Sequence, residues 1–372
     1  MSSDLDSLLP PDHNARAVWL YVQRMDLRSL YDQLRVRGSH PGRPATDPAL
    51  LVALWLFATL EGVGSARQLD RLCTEHIAYR WLCGGVSVNY HTLSDFRVAH
   101  GDLLERFLVD GVTRLMAGGL VDMARVAQDG VRIRASAGAA SFRRRKTIEK
   151  MRALAKEQVS RLKDEVGSEG SAQQQAARRR GADDLERRLD EALEQMAEVE
   201  KKPKKSRKKR NRSASKDDEP PSAAEQEALD KKSAHRVSTT DPEARVMKMG
   251  DGGFRPAFNG QFSTDVATQI IVGVDISNVG SDKAEAGSMV DQLEDHYGRL
   301  PKKHLVDNGF VRLDIIEDLE GRGVQVVAPV QKPRGDRDPF EPLPSDGKGV
   351  AAWRKRMGLS LIHISEPTRL EP

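Results

Sequence analysis

Cysteine is scarce in this chain, and its scarcity argues against two kinds of structure. Two of the 372 residues are cysteine, Cys73 and Cys83. They form no CxxC pair and have no neighbouring cluster with metal-ligand spacing, so neither a zinc site nor a disulfide framework is indicated. We therefore expect both to be buried free thiols of a cytoplasmic protein.

Long hydrophobic runs are also missing. The longest, residues 49–60 (ALLVALWLFATL), is too short to span a bilayer and predicts a core helix. The N-terminus is acidic where a signal peptide would carry basic residues, and no apolar segment follows it. These features predict a soluble protein that makes no membrane contact.

Aromatic residues are few, and the charges nearly balance. Aromatics supply 5% of the chain, and 59 basic against 55 acidic residues leave a net charge of +4. The low aromatic content predicts that part of the chain is extended or solvated. Because the net charge is small, the distribution of charge is the better guide to partners.

Basic residues concentrate in residues 201–212 (KKPKKSRKKRNR), which contain no acid. A segment of this composition is typical of tails that neutralise nucleic-acid phosphates, and the alternative is a solvated linker. The predicted DNA contacts in it are Lys204, Lys205, Arg207, Lys208, Lys209 and Arg210.

Residues 1–120 predict an all-helical DNA-binding domain. Asp47 followed by Pro48 is a helix start with an N-cap and proline at the first position. The predicted helices are residues 17–34, 47–60, 65–77, 92–100 and 103–117. Residues 65–80 and 87–97 are candidates for a helix-turn-helix, and the alternative is an ordinary solvated helix surface. The candidate phosphate or base contacts are Arg67, Arg71, His91 and Arg97.

Residues 126–137 (VAQDGVRIRASA) alternate apolar and basic side chains, which predicts a β-strand. We expect a break at Asp129 that presents its carboxylate to a ligand, with the arginines on the opposite face. The alternative is an ordinary Asp-Gly hairpin turn. A second strand delivers Asp307 into a Gly-containing turn in residues 304–310 (HLVDNGF), so the two acids suggest one metal site. Spacing alone does not choose the second acid, since Asp265 and Asp275 compete with Asp307.

The remaining segments predict an α/β fold with a long insertion. Residues 141–236 form a basic helical insertion with two heptad-like seams, typical of an antiparallel coiled coil. It begins with Arg143, Arg144 and Arg145, which are further candidate DNA contacts. From residue 237 strands alternate with helices, which predicts a partly parallel sheet whose first member is the Asp129 strand. The predicted elements are strands 258–265 and 269–276, the second fully buried, helix 283–297, strand 305–307, helix 314–322 and strand 324–330.

Two carboxylates at neighbouring strand ends suit hard divalent cations, because Mg²⁺ takes oxygen ligands and keeps part of its water shell for substrate phosphate. With a third carboxylate, such a site holds two ions roughly 4 Å apart and supports in-line phosphoryl displacement. The sequence thus suggests a metal-dependent enzyme acting on a phosphodiester, with Mg²⁺ or Mn²⁺ as cofactor.

Several blocks in this order resemble bacterial insertion-sequence transposases of the DDE superfamily, in the branch with a helical N-terminal domain and a helical insertion. The blocks are GRPATDPALLVALWLFATLEGVGSARQL, VAQDGVRIRASAG, DPEARVMKMGDGGFRPAFNGQFSTD, HLVDNGF and VVAPVQKPRGDRDP. The resemblance implies a ribonuclease-H-like mixed sheet, with Asp129 and Asp307 as the catalytic, metal-binding aspartates, and structural roles for Asp265 and Asp275. It also implies transposon terminal inverted repeats and target DNA as partners, a homodimer in the active complex, and a bacterial cytoplasmic protein, nucleoid-associated when bound.

The third acid of that family is a Glu on a helix beyond the last strand, and here the chain departs from the pattern. Residues 350–357 (VAAWRKRM) resemble the lead-in to that helix, but the remaining Glu366 and Glu371 each precede proline, which disfavours helix. Residues 359–369 (LSLIHISEPTR) match one reading frame of an adapter used in transposon-based library preparation. We therefore expect residues 358–372 to be a non-native tail, residues 237–357 to be an incomplete catalytic part, and Glu366 not to be catalytic.

Three functions follow as hypotheses. The first is a DDE transposase, inactive as printed for lack of the third carboxylate. The second is a noncatalytic DNA-binding protein, such as a truncated transposase acting as an inhibitor. The third is a structure-specific nuclease of the same fold, which would cut DNA without joining strands.

Overall fold

The computed structural model describes residues 5–37, 45–164, 172–201, 235–332 and 337–360. The chain divides into two compact units, Met1–Asp110 and Gly111–Pro372. Among the described residues, no helix combines the length and the apolar character that a membrane span requires. The predictions for Lys204, Lys205, Arg207, Lys208, Lys209 and Arg210, and for residues 361–372 of the expected non-native tail, lie outside the described residues.

The first unit is helical, as the sequence predicts. Asp47 accepts a hydrogen bond from the Ala49 N–H (2.9 Å) and begins the third helix with Pro48 at its first position. This helix is buried along most of its length, which confirms the core helix. The helices that begin in this unit are α1 (Asn14–Val22), α2 (Arg28–Arg37), α3 (Pro48–Leu60), α4 (Ala66–Glu75), α5 (Ile77–Leu82), α6 (Tyr90–Ala99) and α7 (Gly101–Ala117).

Two predicted helical segments each contain a break. The prediction of a single helix over residues 17–34 is wrong, because Asp26 accepts a hydrogen bond from the Arg28 N–H (3.1 Å) and a new helix begins there. The helix-turn-helix candidate over residues 65–80 contains two helices, α4 and α5, because His76 has extended backbone angles (φ −104°, ψ 130°) that separate them; its role in DNA binding stays a prediction. Hydrophobic periodicity does not reveal a break this short. Cys73 and Cys83 are buried free thiols, as predicted.

The second unit contains a six-stranded mixed sheet. Its strands are β1 (Arg125–Arg134), β4 (Arg245–Lys248), β5 (Phe254–Asp265), β6 (Ile271–Ser277), β7 (Lys303–Leu305) and β8 (Gln325–Val327), while β2 (Phe142–Arg143) pairs with β3 (Val237–Ser238) separately. The order is β4-β5-β1-β7-β8, and β6 also pairs with β5. β1 is antiparallel to β5 and parallel to β7, which is parallel to β8. The predicted partly parallel sheet with the Asp129 strand as its first member is confirmed.

Three helices pack against this sheet and against each other. They are α10 (Glu285–Tyr297), α11 (Leu313–Gly321) and α12 (Lys348–Ser360). α10 lies so close to β6 that a Cβ on Gly273 would stand 2.7 Å from the Met289 sulfur. α10 covers one face of β6 and leaves residues of the other face exposed. The prediction that this strand is fully buried is therefore wrong. Ile271 and Ile276 on it are 41% and 62% exposed.

The insertion contains an antiparallel helical hairpin of α8 (Arg145–Asp164) and α9 (Ala172–Lys201). An ion pair between Arg145 and Glu200 (2.7 Å) closes one end, and a hydrogen bond from Arg179 Nε to the Leu162 carbonyl (3.1 Å) joins the other. Its buried seam consists of Ile148, Ala155, Leu189, Ala192 and Met196, together with Val237. Supercoiling of the pair as a coiled coil stays a prediction.

Candidate active site

β1 runs without interruption through the first candidate aspartate. Asp129 pairs with Phe262 and Gly130 with Gln261 on the antiparallel partner β5. The predicted strand break and the alternative hairpin turn are therefore both wrong. Continuous pairing with β5 decides the conformation, because it holds the residues on both sides of Asp129 in the antiparallel register.

Side chains alternate across β1 and define two sides of the sheet. We call the side with Ala127, Asp129, Val131 and Ile133 the carboxylate face, and the side with Gln128, Gly130 and Arg132 the packed face. The arginines lie opposite Asp129, as the sequence predicts. Asp129 is exposed, and its Oδ1 accepts a hydrogen bond from the Gly130 N–H (2.7 Å).

Asp307 follows the strand that neighbours β1 on its other edge. β7 pairs with β1 in parallel, with Ala127 opposite Leu305. The backbone stays extended through Asp307 (φ −79°, ψ 179°), so continuing this register two residues past the end of β7 would place Asp307 beside Asp129 on the carboxylate face. Neighbouring strands lie about 4.8 Å apart. Asp307 is also exposed and accepts a hydrogen bond from the Gly309 N–H (2.7 Å).

The other two candidate aspartates lie on the packed face. Asp275 pairs with Gln261, and Asp265 with Val126. Asp265 is buried and accepts hydrogen bonds from the N–H (2.9 Å) and hydroxyl (2.7 Å) of Thr268, so it closes the turn between β5 and β6. The strand register thus places Asp265 and Asp275 on the face opposite Asp129.

The donor set at this pair fits a hard divalent cation. Two exposed carboxylates on neighbouring strands offer oxygen ligands and leave the rest of the ion's coordination shell to water and a phosphate, the arrangement that Mg²⁺ prefers. Within the described parts of the chain, no group of three or more His, Cys, Asp or Glu side chains is arranged to hold a metal. The described site is therefore a pair of carboxylates.

The packed face carries a buried polar network that the sequence reasoning missed. Gln128 Nε2 donates to Gln261 Oε1 (2.8 Å), and Gln261 Nε2 donates to Asp282 Oδ1 (2.9 Å). Asn259 Nδ2 (2.7 Å) and Arg132 Nη2 (3.1 Å) also donate to the Asp282 carboxylate. A signal was present in β5, where Asn259, Gln261, Ser263 and Asp265 follow at every second position and imply a polar strand face.

The network determines the charge of Asp282. Burial raises the pKa of its carboxyl, but the hydrogen bonds and charge of Arg132, together with the bonds from Asn259 and Gln261, outweigh this effect. The net pKa lies below the ordinary value, so Asp282 is ionised at neutral pH. Burial is the largest effect on Glu285, three residues later, and together with the charges of Asp275 and Asp282 it raises the pKa of that carboxyl.

His304 on β7 is a buried titratable group on the same face of the sheet. It pairs with Val126 of β1 and Val326 of β8 and is fully buried. Neither ring nitrogen has a hydrogen-bond partner. Burial lowers the pKa of His304 to about 4, so its imidazole is neutral at pH 7.

The candidate DNA contacts of the helical unit differ in their surroundings. Arg67 and Arg71 are exposed on α4, and the Arg67 guanidinium lies 5.3 Å from the centre of the Tyr90 ring. Arg97 lies 4.5 Å from the Trp55 ring centre and donates to the Gly64 carbonyl (3.0 Å). Arg97 therefore joins α6 to α3 and to the turn before α4, which is a structural role.

The three consecutive arginines of the insertion also differ from one another. Arg143 is exposed in β2, and Arg144 is half-buried. Arg145 pairs with Glu200 and, more distantly, with Glu149 (3.9 Å). Arg143 thus offers the freest approach to a phosphate among the three, while Arg145 holds the hairpin closed.

Comparison with known proteins supports a transposase through the helical N-terminal part. Residues 3–99 match the family model described as Transposase domain (DUF772). Neither the curated proteins nor the solved structures contain a match to this chain. The family match covers the helices before the sheet and supports a chain of the transposase kind, that is, of a DNA-processing enzyme family.

Proposed function

We propose that this chain is a transposase of the DDE type, with a ribonuclease-H-like sheet on which Asp129 and Asp307 hold Mg²⁺ or Mn²⁺. The observation that supports the proposal is the parallel register of β1 and β7, which, if continued two residues past Leu305, would bring these two aspartates onto one face. The transposase-domain match over residues 3–99 supplies the DNA-processing context.

In this proposal the two aspartates would bind the cation through their carboxylate oxygens. When bound, the cation supplies activation of an attacking oxygen and stabilisation of a leaving oxygen in phosphoryl displacement. The Gly130 and Gly309 N–H groups donate to the Oδ1 atoms of Asp129 and Asp307 and leave the other oxygen of each carboxylate free of that bond. The exposure of both residues leaves the carboxylate face accessible to a DNA backbone.

DNA contact is proposed for the exposed arginines. Arg67 and Arg71 on α4 would contact terminal-repeat or target DNA, and Arg143 would contact phosphates near the insertion. A guanidinium stacked on an aromatic ring still directs its N–H groups outward, so the Tyr90 ring would orient Arg67 for such a contact.

A noncatalytic DNA-binding protein is the second candidate. It is supported by Arg67 and Arg71, which are exposed on α4 and would contact DNA without the carboxylate pair. In this candidate the chain binds DNA without transferring strands, because two-ion phosphoryl transfer uses a third carboxylate beside Asp129 and Asp307.

Manganese binding tests the proposed site. Mn²⁺ titration followed by electron paramagnetic resonance should show one weak site in the chain, and Asp129→Asn or Asp307→Asn should each weaken it at least tenfold. Asp275→Asn is the matched control, because it removes an aspartate of the packed face. Replacing Mn²⁺ by Fe²⁺ with ascorbate and peroxide should cleave the backbone near residues 129 and 307. Loss of the site in Asp275→Asn, with Asp307→Asn unaffected, would overturn the proposal.

A further inference from the structure

The packed-face network touches β1 at both chain neighbours of Asp129. Gln128 is hydrogen-bonded to Gln261 on one side. At Gly130 a Cβ atom would stand 2.6 Å from Gln261 Nε2 and 2.8 Å from Asp282 Oδ1, both closer than such contacts allow. Gly130 lies in a regular strand, so this crowding explains the absence of a side chain there.

Asp282 is the residue on which the network converges. Its carboxylate accepts from Asn259, Gln261 and Arg132, the first two of which are fully buried. The Asp282 and Arg132 side chains are 21% and 18% exposed, so solvent screens their ion pair only partly. Moving this carboxylate would therefore disturb several buried groups at once.

The turn that carries Asp282 also reaches the second aspartate. The 3₁₀ turn Asp282–Ala284 contacts the 3₁₀ turn Asn308–Phe310, which begins directly after Asp307. Asp307 caps that second turn through the Gly309 N–H. One turn thus packs against the chain segments that carry both candidate metal ligands.

We infer that Asp282 is a positioning residue for the Asp129–Asp307 pair, acting through Gly130 and through the turn Asn308–Phe310. The inference rests on the proposed function, because it assumes that the pair holds a divalent cation. Asp282 lies on the packed face and acts from behind the strand. Its carboxylate sets the position of the Gly130 backbone, whose N–H orients Asp129.

The test is Mn²⁺ affinity in a set of variants of the whole chain. Asp282→Ala should raise the Mn²⁺ dissociation constant at least tenfold, the usual effect of removing a group that orients metal ligands. Asp282→Asn keeps one carbonyl oxygen for Asn259 or Gln261 and should raise it roughly threefold. Asp295→Ala, an exposed acid on α10, is the control and should leave it unchanged.

A double-mutant cycle with Gly130→Ala tests whether Asp282 acts on Asp129 through Gly130. Gly130→Ala alone should weaken Mn²⁺ binding, because its methyl group displaces the network. In Gly130→Ala with Asp282→Ala the methyl group gains space, so the two losses should be less than additive. Circular dichroism shows which variants remain folded, and if Asp282→Ala does not fold, the Asp282→Asn measurement decides.

The failures of the two proposals are distinguishable. Wild-type Mn²⁺ affinity in folded Asp282→Ala and Asp282→Asn overturns the positioning role and leaves the metal site in place. Mn²⁺ binding that is indifferent to Asp129→Asn removes the site itself and overturns both. Additive losses in the double variant overturn the route through Gly130.

Discussion

The two faces of the six-stranded sheet invert the usual distribution of polarity. On the carboxylate face, Val131 and Ile133 are 49% and 40% exposed beside the exposed Asp129. On the packed face, the positions between them hold Gln128, Gly130 and Arg132, which connect to a polar network in the interior. The apolar side of β1 thus faces outward and the polar side inward.

The difference shows that the two faces respond to different constraints. A buried polar group is tolerated only when its hydrogen bonds are made, so the packed face depends on every member of its network. Exposed apolar side chains contribute little to stability and leave the carboxylates open to a ligand. Substitutions on the packed face should therefore lower stability, and substitutions of the carboxylates on the other face should lower function.

The largest effect is expected for Asn259→Leu on the packed face. Leucine removes the donor to Asp282 and the acceptor of Arg132, so a partly buried ion pair loses two hydrogen bonds. The free energy of unfolding should fall by about 3 kcal/mol, measured by urea denaturation and by hydrogen exchange of the β5 amides. Gln325→Leu, which replaces an exposed amide on β8, is the matched control and should cost below about 1 kcal/mol. Equal losses in the two variants would remove the contrast between the faces.

The next effect concerns pH and His304. Its pKa is about 4 in the folded chain against an ordinary 6.5, so the unfolded chain binds more protons between these values. Stability that is fully present above pH 6.5 should be lost as the pH falls toward 4, by about 3 kcal/mol in total. His304→Leu should abolish this dependence and also stabilise the chain at pH 7, because it removes two unpaired buried nitrogens.

Thermal unfolding at a series of pH values measures the His304 effect. His91→Leu, at an exposed position of α6, is the control and should keep the acid sensitivity of the wild type. An unchanged pH profile in His304→Leu would show that other groups account for the acid sensitivity.

The smallest effect is expected on the carboxylate face. Ile276 is 62% exposed on β6, and Ile276→Thr keeps a β-branched side chain that suits a strand. The free energy of unfolding should change by less than about 1 kcal/mol, while binding of a hydrophobic dye should fall. A loss comparable to that of Asn259→Leu would mean that Ile276 is covered in solution and that this face is not open.

Several features could be predicted from the residues. The alternation in residues 126–137 indicated the strand and placed the arginines opposite Asp129, and the seam residues of α8 and α9 indicated a helical hairpin. Other features were not local. The break at Asp26 depends on one side-chain cap, and the continuity of β1 through Gly130 depends on β5, more than a hundred residues later.

The order of helices and strands, the helical first unit and the two candidate aspartates follow from local patterns of side chains, because such patterns reflect interactions between near neighbours in the chain. Which candidate acids lie on the face opposite Asp129, and which side of β1 is buried, were decided only by the tertiary structure. The physical reason is that strand register and the coverage of a sheet arise from hydrogen bonds and packing between distant segments. β7 pairs with β1 across the whole insertion, which brings the segment that carries Asp307 next to the strand that carries Asp129.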